Sequence, residues 1–108
     1  MGDSINLLNV GDIILGKNTS CFFKEVNPIL HQGDIVVGQL EAPYTRRHKD
    51  SEKFERYPEY LRPLAEAEFD LVTLAGNHIM DAGRAGVEDT IDWLAKNNIN
   101  YVGAYLGR

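Results

Sequence analysis

The chain has 108 residues, 44% of them hydrophobic and 25% charged, which is room for one globular domain and not for two. A formal net charge of -5 and a pI near 5.1 exclude the clustered basic footprint that nucleic acid or an anionic membrane surface selects. No run approaches the ~20 apolar residues of a membrane helix, and the single cysteine, Cys21, excludes an intrachain disulfide.

Residues 1–4 carry Asp3, and the apolar run behind them is short and interrupted by Asn6 and Asn9. No export signal is therefore expected, and the chain as written reads as soluble and cytoplasmic by default. That run, residues 5–10, predicts a buried strand that stops in a turn at Gly11-Asp12. Residues 20–31 space Phe22, Phe23, Val26, Ile29 and Leu30 as a helix would, with Pro28 breaking or restarting it. Residues 34–40 are rich in β-branched side chains and predict a second strand ending at Glu41-Ala42-Pro43.

The long polar connection 45–56 holds the one basic cluster, Arg46, Arg47, His48 and Lys49, diluted at once by Asp50, Glu52 and Glu55. It reads as a solvated loop, either a surface lid or a plain connection. Residues 57–68 suit a helix through Leu61, Leu64 and Ala65 if Pro58 or Pro63 takes its first position, where a missing N–H costs nothing. Residues 69–75 predict a third strand, ending at Gly76-Asn77-His78. The clearest helix is 84–97, because Val87, Ile91, Leu94 and Ala95 fall at i, i+4, i+7 and i+8 while Asp89, Asp92 and Lys96 face water. Asn97-Asn98 stops it, and residues 99–102 predict a fourth strand before Gly103.

All four strands read as mostly apolar runs, the pattern of strands covered on both faces by helices. Strand, helix, strand, repeated, implies right-handed crossovers and a parallel α/β sheet with flanking helices. Loops that follow the strands then share one edge, which is where ligands bind in open α/β sheets.

Three strands end in chemistry-bearing residues: Asp12, Glu41, and Asn77-His78. Alone, Asp12 reads as a turn or cap residue, Glu41 as a surface carboxylate and Asn77 as a left-handed turn residue. Together they offer three oxygen donors and one imidazole to a divalent metal such as Mn, Zn, Fe or Mg. Gly76 and Gly83 permit tight turns on either side of His78. Asp81, three residues after His78, can orient the imidazole or cap the helix that follows.

The runs Gly11-Asp12, Gly38-Gln-Leu-Glu-Ala-Pro-Tyr-Thr45, Gly76-Asn-His-Ile-Met-Asp-Ala-Gly83, Gly86-Val-Glu-Asp-Thr-Ile-Asp-Trp-Leu94 and Tyr101-Val-Gly-Ala104 resemble the CapA family. That family is named for poly-γ-glutamate capsule synthesis and is similar to calcineurin-like metallophosphoesterases. The resemblance covers nearly the whole chain and implies the amino-terminal half of a metallophosphoesterase-like α/β sandwich. By it, Asp12, Glu41 and Asn77 are metal ligands, and His78 is a proton donor or transition-state contact. It further implies an anionic small-molecule or polymer substrate, and it allows association with the cell envelope.

Two departures qualify this. Typical metallophosphoesterases place a histidine two residues after the first Asp, where this chain has Ile14. Family members are also much longer, and their later histidine-bearing loops have no counterpart before Arg108, so residues 1–108 read as a single, partial domain. Two readings stay open: a metal-dependent hydrolase of a phosphoester-like bond, or an accessory module that keeps the fold without a complete metal centre. Half a sheet leaves an edge strand or an apolar face bare, so a homodimer, or an exchange of elements between copies, is expected.

Overall fold

A computed structural model describes residues 4–16, 23–47 and 56–104. Cys21, His48, Lys49, Asp50, Glu52 and Glu55 lie outside them, as does the start of the helix expected from residue 20. The described chain runs β1 (Leu7–Ile13), α1 (Asn27–Leu30), β2 (Ile35–Leu40), a 3₁₀ turn at Pro58–Leu61, α2 (Arg62–Glu66), β3 (Leu71–Thr73), α3 (Gly83–Lys96) and β4 (Asn100–Val102). The four strands form one sheet in the order β1-β2-β3-β4, every neighbouring pair parallel. Both expected prolines sit in a first turn, Pro58 in the 3₁₀ turn and Pro63 in α2.

Strand entry is set by a repeated device. The carboxylate of Asp34, just before β2, accepts the Asn6 N–H at 2.8 Å, and that of Asp70, just before β3, accepts the Val36 N–H at 2.8 Å. Each bond ties an incoming strand to its neighbour at the amino-terminal edge and so fixes the register. Two helices hand over to strands by matching caps. After α2 the N–H groups of Glu68 and Phe69 return to Ala65 O and Leu64 O, and after α3 those of Asn98 and Ile99 return to Ala95 O and Leu94 O. This is the 6→1 and 5→2 closure of a helix end through a left-handed residue. Glu68 and Asn98, both at φ 59°, occupy that position, and buried Phe69 and Ile99 follow them.

The parallel sheet with flanking helices is as expected, but among the described residues the helices lie along one face of it. In an all-parallel sheet whose strands add in sequence order, right-handed crossovers place every connection on the same side. Accordingly Val36, Leu40, Val72 and Leu74 are buried on one face. Their alternates Leu7, Ile35 and Val102 are 61%, 41% and 50% exposed on the other, where Val37 and Leu71 are only half-buried. The alternation is masked in the sequence because the exposed positions are apolar too.

Candidate functional site

β1 does not stop at Val10. It continues to Ile13, so Asp12 is a strand residue and not part of a turn. Asn9 pairs with Val37 and Asp12 with Gln39, which leaves Val10 and Gly11 opposite Gly38 alone. That extra residue is a bulge, a device that re-aims the side chains beyond it. Without it Asp12 would fall on the face opposite Asn9; with it Asp12 shares a face with Gln39, at the carboxyl end of the sheet.

Glu41 follows β2 directly, its N–H bonded to Ile13 O at 3.1 Å. Its side chain is 7% exposed and is therefore no surface carboxylate. Oε2 accepts from Gln39 Nε2 at 2.7 Å, and among the described residues no cation pairs with it. The turn after β3 lies against this pair: a Cβ built on Gly76 would stand 2.8 Å from Glu41 Oε2 and 3.0 Å from Gln39 Nε2. Only glycine lets the backbone pass so close.

Asn77 and His78 come next, both exposed, and buried Ile79 anchors the turn. Asn77 is not left-handed, since the non-glycine residues with positive φ among those described are Glu68 and Asn98. His78 Nδ1 lies 2.9 Å from Asp81 Oδ2, each side chain 53% exposed. α3 has no side-chain cap, so of the two roles open to Asp81 the contact made is the one with the imidazole. Gly83 opens α3 at φ 67°.

The fold thus gathers Glu41 beneath the turn that carries Asn77 and His78, and sets Asp12 one strand away on the same rim. It does not close them into a ligand set: among the described residues no three of His, Cys, Asp and Glu are grouped to hold a metal ion.

Over residues 1–107 the chain matches the family described as bacterial capsule synthesis protein PGA_cap. The chain belongs to this family. The PGA biosynthesis protein CapA of Bacillus subtilis (strain 168) is 32% identical over 116 aligned residues, covering 94% of this chain and 30% of that protein. The capsule biosynthesis protein CapA of Bacillus anthracis is 30% identical over 118, covering 94% and 29%. The chain therefore spans a little under a third of the length of these relatives.

Within this PGA_cap chain the residues that hold the rim in place stand out in the structure and not in the sequence. Gln39 is two residues before Glu41, and strand alternation alone would have put them on one face. Tyr44 is fully buried: its phenol accepts from the Leu15 N–H at 2.6 Å and donates to Leu15 O at 2.5 Å. Burial pushes that phenol up to about 12, against the opposing hydrogen bond with the Leu15 backbone. Tyr44 N–H in turn donates to Thr90 Oγ1 at 2.8 Å, and Thr90 Oγ1 donates to Gly86 O at 2.7 Å.

One residue on, Thr45 donates to Asp89 Oδ2, and Arg47 binds both Asp89 oxygens at 2.8 and 3.0 Å. Asp89 is accordingly not a water-facing residue of α3. Burial opposes its ionisation, but Arg47 and Thr45 outweigh that and hold its carboxyl below the usual range. Arg46 pairs with Glu59 and lies over the Tyr57 ring, 4.3 Å from its centroid. The described part of the basic cluster is thus solvent-exposed, as expected, and also anchored by ion pairs.

Proposed function

We propose that this chain serves capsule biosynthesis, as the names of its relatives state of them, at the cell envelope. In this reading its rim forms part of a metal-dependent site that hydrolyses a phosphoester-like bond or handles an anionic polymer. The observation that carries the reading is the Glu41 carboxylate: buried, held by one neutral amide, roofed by the turn bearing Asn77 and His78, and without a cationic partner among the described residues. A buried carboxylate without a compensating charge is costly, and a cation beside it would offset that cost.

The donor chemistry fits a divalent metal, with oxygens from Asp12, Glu41 and Asn77 and a nitrogen from His78. The grouping does not close within the described residues, so the proposal needs further donors from outside them. A bound divalent cation supplies Lewis-acid stabilisation of developing negative charge, and it also lets an acidic protein meet an acidic substrate. His78 acts on the proton. With its Nδ1 turned to Asp81, Nε2 is the nitrogen left to pass a proton to a leaving group, and Asp81 fixes the ring's orientation.

Calorimetric titration with Mn²⁺, paired with a phosphodiesterase assay in Mn²⁺, tests this. Binding is expected for the wild type and is expected to vanish in Glu41→Gln. His78→Ala is expected to lower the hydrolytic rate about 10²–10⁴-fold, the usual worth of a general acid. Full activity in His78→Ala removes the role assigned to that residue, and Mn²⁺ binding unchanged in Glu41→Gln removes the metal reading.

A further inference from the structure

An ionised carboxylate only accepts hydrogen bonds, so a polar side chain set against one must present N–H or O–H. At Glu41 that group is an amide. Residues two apart along a strand project to the same side, and Gln39 donates from Nε2 to Glu41 Oε2 at 2.7 Å. The bond takes one of the two carboxylate oxygens; Oε1 accepts no hydrogen bond among the described residues. Register sets Gln39 between Asp12 on β1 and Thr73 on β3, so the amide also stands on the strand beside the other carboxylate of the rim. The Gly76 turn closes on both partners at once, with 2.8 Å from a built Cβ to Glu41 Oε2 and 3.0 Å to Gln39 Nε2.

We propose that Gln39 is a positioning residue for the Glu41 carboxylate, fixing its direction without cancelling its charge. The inference rests on the metal reading above and deepens it. A lysine at this position would also donate to Glu41, but it would supply the counter-charge and leave a cation little to gain. A hydrocarbon side chain would leave the charge and let the carboxylate turn. The neutral amide holds Oε2 and keeps the full charge, so Oε1 is the oxygen that meets a divalent cation. Partners that orient a ligating group in this way are typically worth about 10–100-fold in metal affinity. A bond that merely satisfies a buried carboxylate is given up once a cation arrives, whereas a positioning bond persists.

Calorimetric titration of the chain with Mn²⁺ and with Zn²⁺ reads the first property. Gln39→Met, close in length but without an N–H, is expected to lower the affinity about 10–100-fold. Gln39→Lys is expected to lower it at least as far while the melting temperature of the metal-free chain does not fall, a split that lost packing would not produce. Gln32→Met, the same exchange at an exposed position after α1, leaves the affinity unchanged. NMR reads the second property: the Gln39 side-chain amide, identified by its loss in Gln39→Met, stays protected from exchange in the Zn²⁺-bound chain. Undiminished affinity in a folded Gln39→Met or Gln39→Lys overturns the positioning role and leaves the metal reading standing. So does a Gln39 amide that loses its protection when Zn²⁺ binds. A wild-type chain that binds neither ion removes the metal reading, and this proposal with it.

Discussion

The Tyr44 phenol and the Leu15 backbone satisfy one another completely, the hydroxyl taking the N–H and giving its proton to the carbonyl. Tyr44 stands three residues after Glu41 and Leu15 three residues after Asp12, so this one contact joins the two loops that leave the rim. Through Thr90 the same tyrosine is tied to α3. The spacing between the two carboxylates is therefore held by a buried polar network and not by the sheet alone.

Tyr44→Phe keeps the ring and strands both Leu15 groups. Each buried unpaired backbone group costs ~1–3 kcal/mol, so a loss of about 2–6 kcal/mol is expected in urea unfolding. Amide exchange at Leu15 should quicken at the same time. A loss below about 0.5 kcal/mol would mean that the loop re-pairs elsewhere.

Gly76→Ala forces a methyl group against Glu41 Oε2 and Gln39 Nε2. Overpacking of this kind costs typically ~1–3 kcal/mol, and because the side chain displaced is Glu41 itself, Mn²⁺ affinity should fall together with the melting temperature. Gly11→Ala is the control, since a Cβ there meets nothing within 4 Å; it should leave affinity unchanged.

Glu68→Gly should stabilise the protein. Glu68 holds a left-handed conformation at φ 59°, which costs a residue with a Cβ roughly 1–2 kcal/mol, and glycine's greater unfolded-state freedom returns roughly 0.5–1 of that. The net expectation is a gain of about 0.5–1 kcal/mol, or several degrees in melting temperature. Asn98→Gly should gain less, because asparagine tolerates that conformation better. A fall in stability in Glu68→Gly would mean that the side chain does more than the cap requires.

The Asp89 carboxyl sits below its ordinary value in the folded chain, so the unfolded chain binds its proton first as pH falls. Its contribution to stability is complete above the unfolded carboxylate range, near pH 4, and disappears as pH drops through the lower folded value. Glu59, lowered by the Arg46 hydrogen bond, acts in the same direction. Urea midpoints measured from pH 7 to pH 2 should decline in that acid window, and Asp89→Asn should flatten part of the decline. An unchanged acid limb in Asp89→Asn would show that this ion pair contributes no pH dependence.

The sequence by itself determined the element order, the parallel sheet, the α3 helix and the positions where polar residues end the strands. Those features follow from local periodicity and from proline and glycine chemistry, which short stretches encode completely. It also carried the family in its motifs. Tertiary structure decided the rest. The bulge at Val10–Gly11 that re-aims Asp12 is visible only against β2, because register is a property of two strands. The burial of Glu41 depends on Gly76, 35 positions away, and the tie of Tyr44 to Leu15 and Thr90 spans 29 and 46 positions. The one-sided placement of the described helices was hidden for a related reason: an apolar residue reads alike whether or not something covers it, and only the order in which the strands assemble tells which side the helices take.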